Sequence, residues 1–356
     1  MLAIVSSCGK SDVGVTTDKD IFVQQVLLAN PIEVPFTFDT VAVAEHEIFM
    51  PLQVVGLSPS TYVVVDGTNW SLSMLNDNGE LLSSIAPIGL GPEEWVQVNA
   101  ISANDGLISI IDSRQSRVVT VDVTPDSLNP LRTEHFRVSE TGSIKFYFEQ
   151  GDEKYYVFQK NPVPSNFRAT YTLAKSDLTS ENYETLTTFM DSESISDMSA
   201  VMFRFSNPLI DIDNESGKFA IGYTDSLDVN IFDPKTKSSH RINFSVNMER
   251  ANLKVNKEFI QNSSSTDTYK SIATVKSILP ALKKLVLDGS TLYLHLAYFG
   301  ADHNLILIHD IDSDQTVHVK APIGFTLFDA IGGTLYGTIP NSKTYEPEIG
   351  ILKVDL

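Results

Sequence analysis

The residues with most chemical interest form one short run, Gly89-Leu90-Gly91-Pro92-Glu93-Glu94-Trp95. A Gly-x-Gly turn can cradle phosphate when free backbone N–H groups face the anion at the start of a helix. Here Pro92 removes one N–H, Glu93 and Glu94 add negative charge, and the residues that follow alternate as a strand. The run therefore reads as a structural turn, with Trp95 packed beneath it. Asp211-Ile212-Asp213-Asn214-Glu215-Ser216-Gly217 has oxygen ligands at alternate positions, as a calcium loop would. Its Gly comes one place late and no bidentate Glu follows at the right distance, so a β-turn is the reading the spacing favours. Asp310-Ile311-Asp312-Ser313-Asp314 is read the same way. The seven histidines, at 46, 135, 240, 295, 303, 309 and 318, form no His-Glu-x-x-His zinc motif. His295, His303 and His309 are near enough in sequence to meet on one blade-sized unit, although solvated strand or loop positions suit them better. No Gly-x-Ser-x-Gly elbow exists to present a hydrolytic serine.

The elements around these residues are strands. Beyond about residue 35, short alternating apolar runs are bounded by Gly, Asn, Asp, Ser and Pro. Only Tyr269 to Leu282 has helical periodicity, and Pro280 interrupts it. The runs repeat. Aligning Tyr62, Ile108, Tyr156, Phe219, Tyr293 and Tyr336 gives intervals of 46, 48, 63, 74 and 43 residues. Three of the five match one four-stranded propeller blade. The longer two contain polar stretches, Ser180 to Ser199 and Asn247 to Thr268, which are expected to be loop insertions. Several runs are followed by a second strand and a hairpin turn, as at Asn76-Asp77-Asn78-Gly79 and Asp233-Pro234-Lys235-Thr236.

The expected fold is all-β: a six-bladed β-propeller of four-stranded antiparallel blades, its ring closed by an N-terminal strand. The segment Ile32 to Val55 is expected to complete the blade that Gly324 to Leu356 begins. Three parts are expected: a signal segment at 1–7, a polar tether at 8–31 and the propeller at 32–356.

Composition narrows the function. Twenty-six basic against 45 acidic side chains leave a net charge of −19, which repels phosphate backbones, so nucleic-acid binding is not expected. No apolar run reaches the roughly 18 to 20 residues that cross a bilayer. The one cysteine excludes an internal disulfide framework. That residue, Cys8, follows Leu2-Ala3-Ile4-Val5-Ser6-Ser7, and this order resembles the lipobox of bacterial lipoprotein signal peptides. The resemblance implies cleavage before Cys8 and lipidation of its thiol. The segment departs from the pattern in lacking a basic region and in its short apolar stretch.

Ile88 to Trp95 also resembles the Gly-x-Gly-Pro-x-Glu-aromatic motif of six-bladed β-propeller lipoproteins of Bacteroidetes, relatives of NHL and TolB-like propellers. The match extends over about residues 35 to 125. It implies a blade-joining role for Gly89, Gly91, Pro92, Glu94 and Trp95, and an outer-membrane address at the cell envelope. The expected function is a monomeric, non-enzymatic binding or scaffold propeller with no cofactor, taking a protein, peptide or glycan through its loops or one face. The alternative is a calcium-dependent hydrolase. Six-bladed lactonases are similar in shape and hold calcium in the central channel, and Asp66, Asp112 and Asp225 end comparable strands as candidate channel carboxylates. A turn-capping role is the plainer reading of all three. Asp39-Thr40-Val41, Asp126-Ser127-Leu128 and Asp225-Ser226-Leu227 resemble the O-glycosylation signal of exported Bacteroidetes proteins.

Overall fold

Alternating apolar runs joined by tight turns fold here as six four-stranded meanders. The structure is a computed structural model, and it describes residues 22–28, 32–104, 106–136, 143–151, 153–160, 170–175, 183–190, 208–213, 215–224, 227–246, 282–299, 303–344 and 346–355. Three strands precede the first blade: β1 (Phe22–Leu28), β2 (Ile32–Glu33) and β3 (Phe36–Val41). Blade 1 is β4 (Pro51–Ser58), β5 (Thr61–Asp66), β6 (Leu72–Asn76) and β7 (Leu81–Ile85). Blade 2 is β8 (Ala100–Asn104), β9 (Leu107–Asp112), β10 (Arg117–Thr124) and β11 (Ser127–His135). Blade 3 follows with β12 (Ser143–Gln150), β13 (Glu153–Lys160), β14 (Thr170–Lys175) and β15 (Glu184–Met190). Blade 4 holds β16 (Pro208–Ile212), β17 (Phe219–Tyr223), β18 (Asp228–Asp233) and β19 (Ser238–Val246). Blade 5 holds β20 (Leu282–Asp288), β21 (Thr291–Phe299), β22 (His303–Asp310) and β23 (Gln315–Pro322). Blade 6 has β24 (Thr326–Ile331), β25 (Thr334–Pro340) and β26 (Pro347–Val354) from the C-terminus, and β3 as its outermost strand.

The ring closes where β3 pairs antiparallel with β26, Asp39 opposite Ile351. The N-terminal region does more than the sequence predicts. Strand β2 adds to the outer edge of blade 5 and β1, in the stretch expected as tether, to that of blade 4, both parallel. Pro51–Ser58, the far end of the segment expected to complete the last blade, is instead the innermost strand of blade 1. Of the expected insertion at 180–199, Glu184–Met190 is the outer strand of blade 3. An outer strand faces solvent along one edge, so its Thr-rich composition reads as loop. The helical segment at 269–281 lies outside the described residues.

The six aligned positions of the repeat all fall on second strands and are all buried. A second strand has sheet on either side and a neighbouring blade above and below, so its pattern is nearly continuously apolar. The core is distributed accordingly. Among the described residues the apolar clusters sit between blades, one at each seam of the ring. At the closing seam the rings of Tyr62 and Tyr336 lie 5.0 Å apart, and the Tyr336 hydroxyl donates to the Ser58 carbonyl at 2.8 Å. Gly56 permits that approach, because a Cβ there would stand 2.9 Å from Ile331 and 3.1 Å from the Tyr336 ring.

Candidate functional site

The innermost strands β4, β8, β12, β16, β20 and β24 surround a central channel of about 1150 Å³. Every second residue of an inner strand faces this space. The sequence places charge at several of those positions, inside runs that are otherwise apolar: Leu209-Ile210-Asp211-Ile212, Leu282-Lys283-Lys284-Leu285 and Leu327-Phe328-Asp329-Ala330.

Two carboxylates face the channel in mutual electrostatic contact. Asp211, on β16, accepts the Leu287 N–H of the next blade at 2.7 Å. Asp329, on β24, accepts the Gly56 N–H across the closing seam at 2.7 Å and its neighbour Ala330 N–H at 2.9 Å. Burial in the channel pushes the Asp211 carboxyl up to about 7; the Lys284 ammonium opposes that rise and the Asp329 charge adds to it. Burial likewise raises Asp329, to about 6, against the pull of Lys284 and of the two backbone N–H groups. Desolvation disfavours the charged form, and two like charges sharing a site cannot both ionise freely. Lys284 is the cation that lowers both values.

The same joining device recurs around the ring. Asp288 accepts the Gly332 N–H at 2.7 Å, Asp213 accepts the Gly289 N–H at 2.9 Å, and the Ser102 hydroxyl donates to the Tyr147 carbonyl at 2.7 Å. Each bond runs from one blade to the next. Asp213 also takes the Ser216 N–H at 2.7 Å, so the stretch resembling a calcium loop forms the β16–β17 hairpin turn.

Asp66 and Asp112 do not line the channel. They end second strands, are buried, and organise the loop that enters their own blade. Asp66 accepts the N–H groups of Phe49, Met50 and Thr68 at 3.2, 3.0 and 2.9 Å. Asp112 accepts those of Val96 and Arg114 at 2.9 and 3.1 Å. Asp225 and Cys8 lie outside the described residues. His295 and His309 are both buried but three residues out of register on the blade, His295 facing Ile306 and His309 facing Leu292. His295 accepts the Leu327 N–H at 3.3 Å, and burial, helped by Lys283, pushes its pKa down to about 3. It is a neutral packing residue. Among the described residues, no three His, Cys, Asp or Glu side chains stand together as a metal would need.

The Gly-Leu-Gly-Pro-Glu-Glu-Trp run lies between blades 1 and 2. Trp95 is fully buried against Val63 and Leu72 of one blade and Ile110 and Val119 of the other, and its indole N–H donates to the Trp70 carbonyl at 2.7 Å. The glycines are there for space. The Glu94 carboxylate folds back to accept the Gly91 N–H at 2.7 Å, and a Cβ on Gly89 would overlap it. Beneath the loop is a residue the sequence did not single out, Arg117, which is 1% exposed. Its guanidinium donates to the carbonyls of Gly91 (2.7 Å), Gly89 (3.3 Å) and Glu94, and its Nε lies 3.6 Å from Asp112.

A family model described as a 6-bladed beta-propeller, DUF5128, matches residues 48–322. The chain belongs to the DUF5128 family. No functionally curated protein matches it. Solved structures similar to this DUF5128 propeller include a DUF4221-family protein from Bacteroides vulgatus, with TM-score 0.57 and 11% identity over 92% of this chain and 99% of that one. A Bacteroides fragilis protein named for an assumed export gives TM-score 0.56 and 10% identity over 95% and 100% of the two chains. A Bacteroides thetaiotaomicron protein of unknown function gives 0.50 and 10% over 95% and 75%. At these identities the likeness is one of fold. The DUF5128 match covers blades 1 to 5, and the structure adds that blade 6 is shared between the two ends of the chain.

Proposed function

We propose that this DUF5128 propeller is a non-enzymatic binding protein of the cell envelope, anchored through lipid on Cys8, and that its central channel receives the ligand. The observation that carries the reading is the channel itself: about 1150 Å³, walled by six inner strands, with its acids Asp211, Asp288 and Asp329 already bonded to the backbone of the next blade. Carboxylates held this way brace the ring and shape a pocket. Pockets of this kind, mixed in polarity and at the centre of a rigid scaffold, are the usual place for small ligands. Protein, peptide and glycan ligands remain the candidate classes, with no cofactor and no nucleic acid. The envelope address rests on the lipobox-like order before Cys8, and the name of the B. fragilis neighbour agrees with it.

One observation favours the enzymatic alternative. Asp211 and Asp329 both have carboxyl pKa values raised by burial in a cleft, which is what a general acid–base pair requires. Of the carboxylates expected to hold calcium in the channel, Asp66 and Asp112 are turned away from it, each bonded to backbone N–H groups of the loop entering its own blade. The deciding experiment is equilibrium dialysis of the full chain against envelope glycan and peptide fractions, with mass spectrometry of what is retained. The binding reading expects a compound recovered unchanged. A compound recovered only as its hydrolysis product, with turnover lost in Asp211→Asn, would replace it with the enzymatic one.

A further inference from the structure

The end of the ring at which the inner strands begin carries an apolar surface over blades 1 and 2. Three loops build it: 48–52 leading into β4, 67–72 between β5 and β6, and 86–92 on the way to β8. Five of the nine exposed large apolar side chains among the described residues stand on them: Phe49, Met50, Leu52, Ile88 and Leu90. Leu90 is 80% exposed and Phe49 59%. The loops touch one another. The Gly67 N–H donates to the Met50 carbonyl at 2.7 Å, and a Cβ on Gly67 would overlap both Met50 and Leu52. The carbonyl of half-buried Trp70 takes the Trp95 indole N–H, and the Trp95 carbonyl takes the Gly89 N–H at 3.2 Å. The surface is also held in shape. Asn69 accepts the Ser71 N–H at 2.9 Å, and Trp70 sits at φ 57°, a left-handed conformation that a bulky residue keeps only where its surroundings fix it. A surface ordered beforehand loses little freedom when something binds.

Charge says what that something is. One residue in five of this chain is charged, yet 48–52, 67–72 and 81–92 hold no charged residue at all. Loss of charge together with Phe, Met and Trp is the composition of a protein interface at its centre. Around that centre the balance is acidic. Glu45 and Glu47 precede Phe49 and Glu93 follows Leu90, all three exposed, while Glu94 is folded back on the Gly91 N–H. Against them stands exposed Arg114, in the turn whose Gln115 holds the Gly89 carbonyl at 3.1 Å. Three exposed acids to one base repel an anionic bilayer, and repel a second copy that presents the same face. They attract a partner with a basic rim.

We propose that this face of blades 1 and 2 is the docking surface for a different protein, which seats apolar side chains on Phe49, Trp70 and Leu90 and brings lysine or arginine to Glu45, Glu47 and Glu93. Leu52 belongs both to this surface and to the wall of the channel, so the docked partner stands at the channel mouth.

The test is photo-crosslinking of the full chain in the cells that make it, with p-benzoylphenylalanine placed in turn at Phe49, at Leu90 and at Asp312. Asp312 is exposed on a turn at the opposite end of the ring and serves as the control. Positions 49 and 90 are expected to capture the same protein, and position 312 not to capture it. Peptide mass spectrometry should place the crosslinks in a segment that combines apolar residues with lysine or arginine. The captured protein, purified, should bind the parent chain more weakly as salt rises. Phe49→Ser with Leu90→Ser should weaken that binding by about tenfold or more, through faster dissociation. E45Q/E47Q/E93Q should slow association by about threefold or more and flatten its salt dependence. All of these side chains are exposed, so the variants should melt as the parent does. Crosslinks to a second copy or to lipid, equal capture at position 312, or no capture at 49 and 90 would overturn the proposal. So would a captured protein whose binding is indifferent to either set of substitutions.

Discussion

Neutralising one channel carboxylate should stabilise the protein at neutral and alkaline pH, although the substitution removes a buried charge partner of Lys284. The Asp211 carboxyl titrates near 3.8 in the unfolded chain and at about 7 in the folded one, a difference of roughly 3 units, or about 4 kcal/mol. The sign follows from which state holds the proton. Below the unfolded value both states are protonated and the group contributes nothing. Between the two values the folded state keeps a proton that the unfolded state has lost, so stability falls as pH rises. Above about 7 the full penalty of burying the charge beside Asp329 is present. Asp211 keeps part of its surface towards the channel, and solvent screening there brings the expected gain for Asp211→Asn to about 2–3 kcal/mol at pH 8. The amide oxygen of Asn still accepts the Leu287 N–H, so the bond between blades survives. Urea unfolding of parent and variant from pH 4 to 8.5 reads the effect as a stability gap that opens through this range. Parallel curves, or a variant weaker at every pH, would refute the electrostatic reasoning and make the carboxylate a net stabiliser.

Other outcomes follow from the same geometry. Arg117→Ala should cost about 3–5 kcal/mol in urea unfolding, because it leaves the buried Asp112 carboxylate and three loop carbonyls without their cation. Gly56→Ala should lower the melting temperature by prising Ile331 and Tyr336 from the closing seam, at a cost of about 1–3 kcal/mol. Deleting residues 1–41 removes β3, leaves β26 as an unpaired edge, and should yield an aggregating chain on size-exclusion chromatography. Cys8→Ser should move the protein from the membrane to the soluble fraction of expressing cells, and equal fractionation of parent and variant would exclude the lipid anchor.

The fold was legible because its second strands are buried on both faces, and the same apolar run, Tyr62 to Val65, Ile108 to Ile111 and Tyr293 to Leu296, therefore returns blade after blade. Outer strands were harder. Glu184–Met190 has one edge in solvent and a composition close to that of a loop. The channel residues were the least legible. Asp211 stood out only as part of a calcium-like spacing, and Asp329 and Lys284 not at all, since what joins them is the closure of a ring across strands far apart in sequence. A signal existed in each case, a charged residue within an otherwise apolar strand. Strand-terminal Asp66 and Asp112 drew attention first, yet a second strand is one layer removed from the channel. Arg117 begins a strand straight after a turn, where arginine reads as solvated, and only the fold of Glu94 over two glycines shows that its guanidinium is enclosed.

A tryptophan at Phe146 reports most directly on whether this propeller binds through its channel. The native Trp95 is buried at a blade seam and Trp70 lies beside it, so the new indole is the one facing the cavity. Titrating Phe146→Trp with the compound retained in dialysis should shift and quench its emission along the binding isotherm, with the parent protein unaffected. A compound that raises the melting temperature of both proteins while leaving that emission unchanged would place the site on the outer loops and contradict the channel assignment.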